Sequence, residues 1–542
     1  MMVRHCAAAL LALLPAAALA QGPPLLPPFP AAPSPSRDSV PILRAVEVHR
    51  LNVFSPSEAR SFLPRLANRL HITTRAWVVE RELLFGPGSR YDSARVAETA
   101  RNLRTVGVFR AVSVDSVRTD SGLIMRVVTG DGWTTRPDIR FGSSGSNIYY
   151  TLALEEFNFL GTATQLGLRY RKTPDRWSVT GSFRQPRLFK RTVGLSLQYL
   201  HLSDGDLGLG ALSRPFFSLS DRTAWTLAGD IRKHRVLRFF EGEEIAGDSL
   251  QRRFALGYAA VARALRGTSL GYLRVGVSGQ IRREDYAAES RIDTLSRTVT
   301  GAVGGFLHWR RARFLVSRGV TAFGREEDID VSTAIGFGLN FTPKAFGYAD
   351  NGVVPSLSFL TGFGRENRFI QLFGTGTLRV TPAGVDSGSV QLAVTGYLVP
   401  ARRHLAVFHA SSGWQVNPAP GAEFDLGLGI GPRAFRQHAF TGDRAFLTSA
   451  EYRFTLTDEA LKLSAVGIGA FVDYGGAWYH GSTPRSGWDF GIGLRFGPTR
   501  ATNVKSTRVD LAYRVKNDAQ PGGWVVVVGA GFAFLPSFRL AP

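Results

Sequence analysis

The stretch Trp488-Asp489-Phe490-Gly491-Ile492-Gly493-Leu494-Arg495-Phe496 decides the fold class. Every even position is large and apolar, and every odd one is glycine or charged. Successive side chains of a strand point to opposite faces, so this pattern describes a strand with one apolar face and one small or charged face. Val509, Leu511, Tyr513 and Val515 alternate in the same way with Asp510, Ala512 and Arg514, and Thr192 to Tyr199 repeats the pattern with polar partners. From residue 136 to residue 534, strand-length segments follow one another between Gly, Asn, Asp, Ser and Pro, with no helical period among them.

A soluble β-sandwich alternates too, but it rarely continues for so long. The apolar face here also carries aromatics near strand ends (Tyr170, Tyr199, Tyr452, Phe454, Trp488, Phe496), where a membrane interface favours them. Beyond the N-terminus no apolar run reaches the ~20 residues of a membrane helix. A closed barrel is the remaining way to span lipid with every backbone group paired. The expected fold is therefore mainly β: a transmembrane antiparallel β-barrel of about 16 strands, up to 20 by segmentation, over residues 133–534. Strand limits are least defined in 136–156 and 296–330. The polar connections 239–250 and 284–297 are expected as extracellular loops, and Pro186 to Lys190 as a periplasmic turn.

The 542-residue chain opens on Arg4 and His5, an apolar run from Ala7 to Leu14, and Ala18-Leu19-Ala20. The run is too short for an anchor and ends at Pro15, so residues 1–20 are expected as a cleaved signal peptide. Cys6, the single cysteine, lies inside it. The mature chain then has no thiol, which excludes disulfides and cysteine catalysis. A Pro-rich linker is expected over 21–43.

Residues 44–132 form an expected small α+β domain. Ala45 to Leu51 alternates as a strand. Ala76 to Phe85 fits a short helix stopped by Gly86-Pro87-Gly88. Asp92 or Ser93 caps a second helix with Val96, Ala100, Leu103 and Val106 on its apolar stripe, ended by Gly107. Phe109 to Val117 and Leu123 to Val128 complete a strand pair. This order, with Leu83 to Asp92 and Asn102-Leu103-Arg104 through Val108-Phe109, resembles a POTRA (polypeptide-transport-associated) domain. That resemblance implies a periplasmic position.

Net charge is +22. The arginines are scattered at alternate positions, as in Leu166-Gly167-Leu168-Arg169-Tyr170, which argues for a basic lumen or anionic lipid head groups and against nucleic acid. No P-loop, H-E-x-x-H or G-x-S-x-G is present. His404, His409 and His438 form no metal-ligand pattern and are expected in the lumen or in loops. No catalytic residue, metal or cofactor is assigned.

Two coupled pieces remain. Pro432-Arg433-Ala434-Phe435-Arg436 runs through Thr441-Gly442-Asp443-Arg444 into Glu451-Tyr452-Arg453-Phe454, and Phe471-Val472-Asp473-Tyr474-Gly475 follows. With Val466, Ile468, Ala470 and Val472 facing lipid, Phe471 and Asp473 face the lumen. Arg433 on an inward loop could then offer a fork of donors to Asp473. Spacing alone fits equally a solvated loop arginine and a wetted lumen acid.

These pieces resemble the BamA/TamA-like outer-membrane insertase and two-partner-secretion superfamily. Its loop motif, hydrophobic-Arg-Gly-aromatic, stands here as Pro432-Arg433-Ala434-Phe435. Its wall motif, aromatic-x-Asp-x-Gly, is intact, five strand-like segments follow the loop, and Glu156 to Gly161 matches a further signature. The resemblance implies a lumenal loop at Arg433, Ala434 and Phe435 facing Phe471, Asp473 and Gly475. It also implies a seam on the last strand, at Trp524, Gly529, Gly531 and Phe534. The implied function is non-enzymatic assembly of unfolded outer-membrane protein clients, without nucleotide. The implied partners are those clients, outer-membrane lipid and lipopolysaccharide, periplasmic chaperones or accessory lipoproteins. A two-partner-type secretion translocator and a passive outer-membrane pore are the alternatives. The seam assignment stays open, because a tail over 535–542 stands where that superfamily commonly ends on an aromatic residue.

Overall fold

The computed structural model describes residues 41–531 apart from 121, 145–146, 191, 246, 289–298, 322, 324–325, 429, 461–463, 502–505 and 519. The expected signal peptide, most of the linker, the tail and Phe534 lie outside these residues.

Alternation closes the sheet. Twenty strands, from Thr135–Ser144 to Gly523–Ala530, form one closed barrel, with the first strand beside the last. The chain is mainly β, and its strand number lies at the top of the expected range. The stretch that set the fold class is the strand Gly487–Pro498. Its Trp488, Phe490, Ile492 and Leu494 stand 45–65% exposed on the outer face, whereas Asp489 and Arg495 are fully buried toward the lumen. An apolar face of this extent left in water would cost about 25 cal/mol per Å², so lipid is its natural surroundings. Near one end of the barrel Phe446, Tyr474, Trp478 and Trp488 form a continuous aromatic band, with Tyr474 and Trp488 stacked at 4.0 Å. Tyr513 and Trp524 extend it on the next two strands.

The small domain caps the opposite end. Gly122–Asp131 is its central strand, parallel to Leu43–Leu51 and antiparallel to Phe109–Thr119, which are the sheet edges. Helix Ser93–Val106 starts at Asp92, whose carboxylate accepts from the amides of Ala94 and Arg95, and stops at Gly107 in the left-handed region (φ 81°). Val78, Val79, Leu103, Phe109 and Val127 form the core.

Two expectations need correction here. The first helix is shorter than Ala76 to Phe85, running over Ala76–Glu80. A further helix, Phe62–Leu70, precedes it. Pro64 hides that helix in the sequence, yet proline is tolerated in a first turn, where the amide has no helical acceptor.

The domain is fastened to the barrel at turns far apart in sequence. Asn158 donates to Thr74 Oγ1 at 2.9 Å, and the Arg75 amide donates to the Gly161 carbonyl at 2.8 Å. Gly161 has φ 72°, and a Cβ there would meet the Thr73 carbonyl at 2.8 Å, so this turn requires glycine. Arg187 pairs with Glu82 (2.6 Å), the Leu219 amide donates to Glu98 (2.7 Å), and Arg500 pairs with Glu58 (2.9 Å).

The ambiguous region 296–330 resolves into a wall strand, Val299–Arg311, and an extra hairpin, Phe314–Arg318 with Glu326–Asp330. The hairpin enters the lumen from the domain end. Val320, Ile329 and Val331 pack on the lumen-facing Phe369, Tyr397, Leu405, Val407 and Leu447. Arg104 of the small domain grips Asp328 through two bonds of 2.6 and 2.7 Å, and Arg101 lies 4.3 Å over Phe314. A loop was expected from residue 284, but the strand Gly271–Ala288 carries the wall further.

Candidate functional site

The barrel end away from the small domain is spanned by residues 417–443, which connect the strands His404–Val416 and Arg444–Ala460. This segment folds into the lumen. Phe424–Leu426 pairs with Phe440–Gly442, and Phe424, Leu426, Phe435, Ala439 and Phe440 cluster against Ala445 and Ala477 of the wall. The cluster gives the loop an apolar core of its own.

At the loop's tip Arg433 is fully buried. Its Nε and Nη2 donate to the two oxygens of Asp473 at 2.6 and 3.1 Å, a bidentate pair. Nη1 reaches Asp510 at 3.1 Å and Glu451 at 3.3 Å, and the guanidinium lies 3.6 Å over the Phe471 ring. The structure thus brings together Arg433, Phe471 and Asp473, three of the residues that the sequence pointed to.

A buried charge set surrounds the pair. Arg453 and Arg495 donate to Glu451 at 2.6 and 3.1 Å, and Arg495 and Arg508 donate to Asp510 at 2.5 and 2.6 Å. Ser449 donates to Asp473 at 2.6 Å. Glu451, Asp473 and Asp510 therefore each face guanidinium donors, which is the condition for charges to persist out of water.

Sequence reasoning missed Glu451, Asp489, Arg495, Arg508 and Asp510 as members of this set. A usable signal existed. All sit at the lumen parity of strands whose other parity is apolar. Small residues make room for them: a Cβ at Gly469 would lie 3.0 Å from the Arg495 guanidinium, and one at Gly529 would lie 2.7 Å from that of Arg508. Gly529 is one of the residues placed on the expected seam. Its evident role is space for Arg508, since the strand pairs in continuous register from Gly523 to Ala530.

Ala434 stands where the resembled motif has glycine. Its amide donates to Asp489 at 2.7 Å and its carbonyl accepts from Arg514 at 3.1 Å, while its methyl packs with Phe471 and Ala512. Its φ is not positive, so alanine is accommodated. Phe435 fills the space above Gly487, where a Cβ would meet the ring at 2.2 Å. Gly475 is the cross-strand partner of Gly487. Trp524 lies on the outer face, 63% exposed.

The histidines separate. His404 lies on the outer parity with its Nδ1 at 2.5 Å from the Tyr452 hydroxyl, contrary to the expectation of a lumen or loop place. His409 is buried in the lumen beside Thr395. His438 lies in the loop, with Nδ1 at 2.6 Å from Asp425 and Nε2 at 3.0 Å from Asp175 of the turn after Thr164–Lys172. Its ring stacks on Phe239 at 3.7 Å. Burial opposes its charge, but the bonds to Asp175 and Asp425 dominate and lift its pKa to about 9. His438 thus ties the loop across the mouth, and Arg436 adds a 2.5 Å bond to Glu243. Among the described residues no group of metal-ligating side chains forms.

Residues 427–534, which span the inward loop and the last five strands, match the Omp85 superfamily domain. This part of the chain belongs to the Omp85 superfamily. The Omp85 segment contains Arg433 and all its charged partners. No curated protein matches the chain in sequence. Among solved structures, BamA from Haemophilus ducreyi lacking POTRA domains 1-3 is 12% identical, with 90% of this chain and 85% of that chain covered and a TM-score of 0.35. CdiB from Escherichia coli is 11% identical, with 91% and 77% covered and a TM-score of 0.46. The protein is a transmembrane β-barrel whose C-terminal part, residues 427–534, is an Omp85 superfamily domain.

Proposed function

We propose that this Omp85-type barrel is an outer-membrane assembly factor. Its small domain, read as a POTRA domain on the periplasmic side, captures unfolded β-barrel clients, and the barrel helps them insert without nucleotide. The observation that carries the reading is the Arg433 lock: a loop from the far mouth is drawn into the lumen and held there by a fully buried arginine on three carboxylates.

This loop and the hairpin that enters from the other end both occupy the lumen, which argues against a wide open pore. Two edge strands of the small domain, Leu43–Leu51 and Phe109–Thr119, offer places where an extended client segment could add by β-augmentation. The line between the first and last barrel strands is the place where the wall could open, because there alone the sheet closes by joining strands from its two ends, Thr135–Ser144 and Gly523–Ala530.

Depletion of the protein followed by a census of the outer-membrane proteome tests the proposal. Loss of several unrelated barrels is expected. Loss of one exported protein alone would favour a secretion translocator, and an unchanged census would refute both.

A further inference from the structure

We propose that residues 535–542 fold back onto the small domain and cover the apolar face of helix Phe62–Leu70, strapping the last barrel strand to that domain. The contact stands whether or not the barrel assembles clients.

Helix Phe62–Leu70 is inverted on its own domain. A helix at a domain surface ordinarily buries its apolar stripe and leaves its polar side to water. Here Phe62, Leu66 and Leu70, four residues apart and so on one face, stand 69, 38 and 66% exposed. Ile72, just beyond the helix, is exposed as well. The side that meets the domain carries Asn68, which accepts from the Phe54 amide at 3.0 Å and donates to the Phe54 carbonyl at 2.8 Å. The Asn68 carbonyl in turn accepts from Asn52 at 3.2 Å. An aligned row of large apolar side chains turned outward marks a surface that takes a partner.

Both ends of this helix are tied to one connection of the barrel, residues 499–506, between Gly487–Pro498 and Thr507–Arg514. Glu58, ahead of the helix, pairs with Arg500 at 2.9 Å. His71, directly after it, lies 6.5 Å from Trp133 between ring centres, and the Trp133 amide donates to the Arg500 carbonyl at 2.8 Å. The last strand arrives at the same connection: the Gly531 amide donates to the Ser506 carbonyl at 2.6 Å. The chain is thus delivered beside the uncovered face.

Residues 535–542 read Leu-Pro-Ser-Phe-Arg-Leu-Ala-Pro. Leu535, Phe538 and Leu540 offer as many large apolar side chains as the helix presents. At ~3.4 Å per residue, the stretch from Gly531 to Phe538 reaches about 24 Å. The helix is about 13 Å long at 1.5 Å per residue, so the tail can run its full length. A segment tethered this close meets the face at an effective concentration of about millimolar, an advantage that no separate partner has.

The test is a disulfide. The single cysteine, Cys6, lies in the expected signal, so Leu66→Cys with Phe538→Cys supplies the only two thiols of the mature barrel. The full-length barrel is oxidised with copper phenanthroline and the cross-linked peptide is read by mass spectrometry. The 66–538 pair should cross-link at least tenfold more than a control pair, Leu66→Cys with Ser482→Cys at the far end. Equal yields would overturn the proposal. So would 66–66 dimers of the single Leu66→Cys variant at the yield of the pair, which would assign the face to a second copy. In a second measurement, deletion of residues 535–542 from a barrel that keeps its gel shift should speed tryptic cleavage after Arg65 and Arg69 at least fivefold. Unchanged cleavage would overturn the proposal, and the cysteine pair decides it if the shortened barrel fails to fold. Protection of a thiol at position 66 from a hydrophilic maleimide in vesicles, undiminished by the deletion, would assign the face to lipid and overturn it too.

Discussion

Removing the Arg433 guanidinium should destabilise the barrel through one carboxylate more than the others. Glu451 keeps Arg453 and Arg495, and Asp510 keeps Arg495 and Arg508. Asp473 keeps only the Ser449 hydroxyl among the bonds described above. Stranding one buried charge costs about 3–5 kcal/mol, so Arg433→Ala should lose roughly that amount and not three times as much.

Asp473→Asn should lose less, because Arg433 retains two acceptors. The double variant should be more stable than the sum of the two losses predicts, with a coupling of about 1–3 kcal/mol. A charge swap is a poorer probe: an acid at 433 would face Glu451 and Asp510. The assay is the denaturant midpoint of folded-to-unfolded conversion, read as the gel shift between unboiled and boiled samples. Additive losses would refute the reasoning, because they would mean that the two side chains do not meet in the folded barrel.

Other expectations follow from the same geometry. His438 has a folded pKa of about 9 against an ordinary value near 6.5. Its contribution is therefore full below about pH 6.5 and lost as pH rises through 9. Amide exchange in 417–443 should accelerate between pH 7 and 10, after correction for intrinsic rates, and His438→Gln should abolish that dependence. Gly487→Ala should push Phe435 from its place at a cost of about 1–3 kcal/mol, seen as faster proteolysis of the loop than in wild type. Replacing residues 314–330 by a short linker should raise single-channel conductance in planar bilayers; equal conductance would show that the hairpin does not obstruct the lumen.

The barrel was legible because its alternation is a two-sided solvent problem. Trp488 to Phe496 states the outer and inner faces residue by residue, and such segments continue from residue 136 to residue 534, longer than a sandwich sustains. The Arg433–Asp473 pair was legible only as two motifs whose meeting the spacing left open. The remaining charges were hidden for a physical reason: Glu451, Asp489 and Asp510 lie on three of four neighbouring strands, and only their cross-strand register brings them together.

The hairpin at 314–330 was obscured by Trp309-Arg310-Arg311-Ala312-Arg313, where wall and insertion share the same composition. Helix Phe62–Leu70 was masked by Pro64.

The seating of the loop is the centre of the account, and a single thiol tests it most directly. The mature chain has no cysteine if the signal is removed, so Ala434→Cys supplies a unique label site, and Ser482→Cys in the exposed turn after Ser464–Trp478 supplies the control. A hydrophilic maleimide added to intact cells should label position 482 quickly and leave position 434 unlabelled, and Arg433→Ala should make position 434 reactive. Labelling of position 434 as fast as position 482 with Arg433 in place would contradict the account.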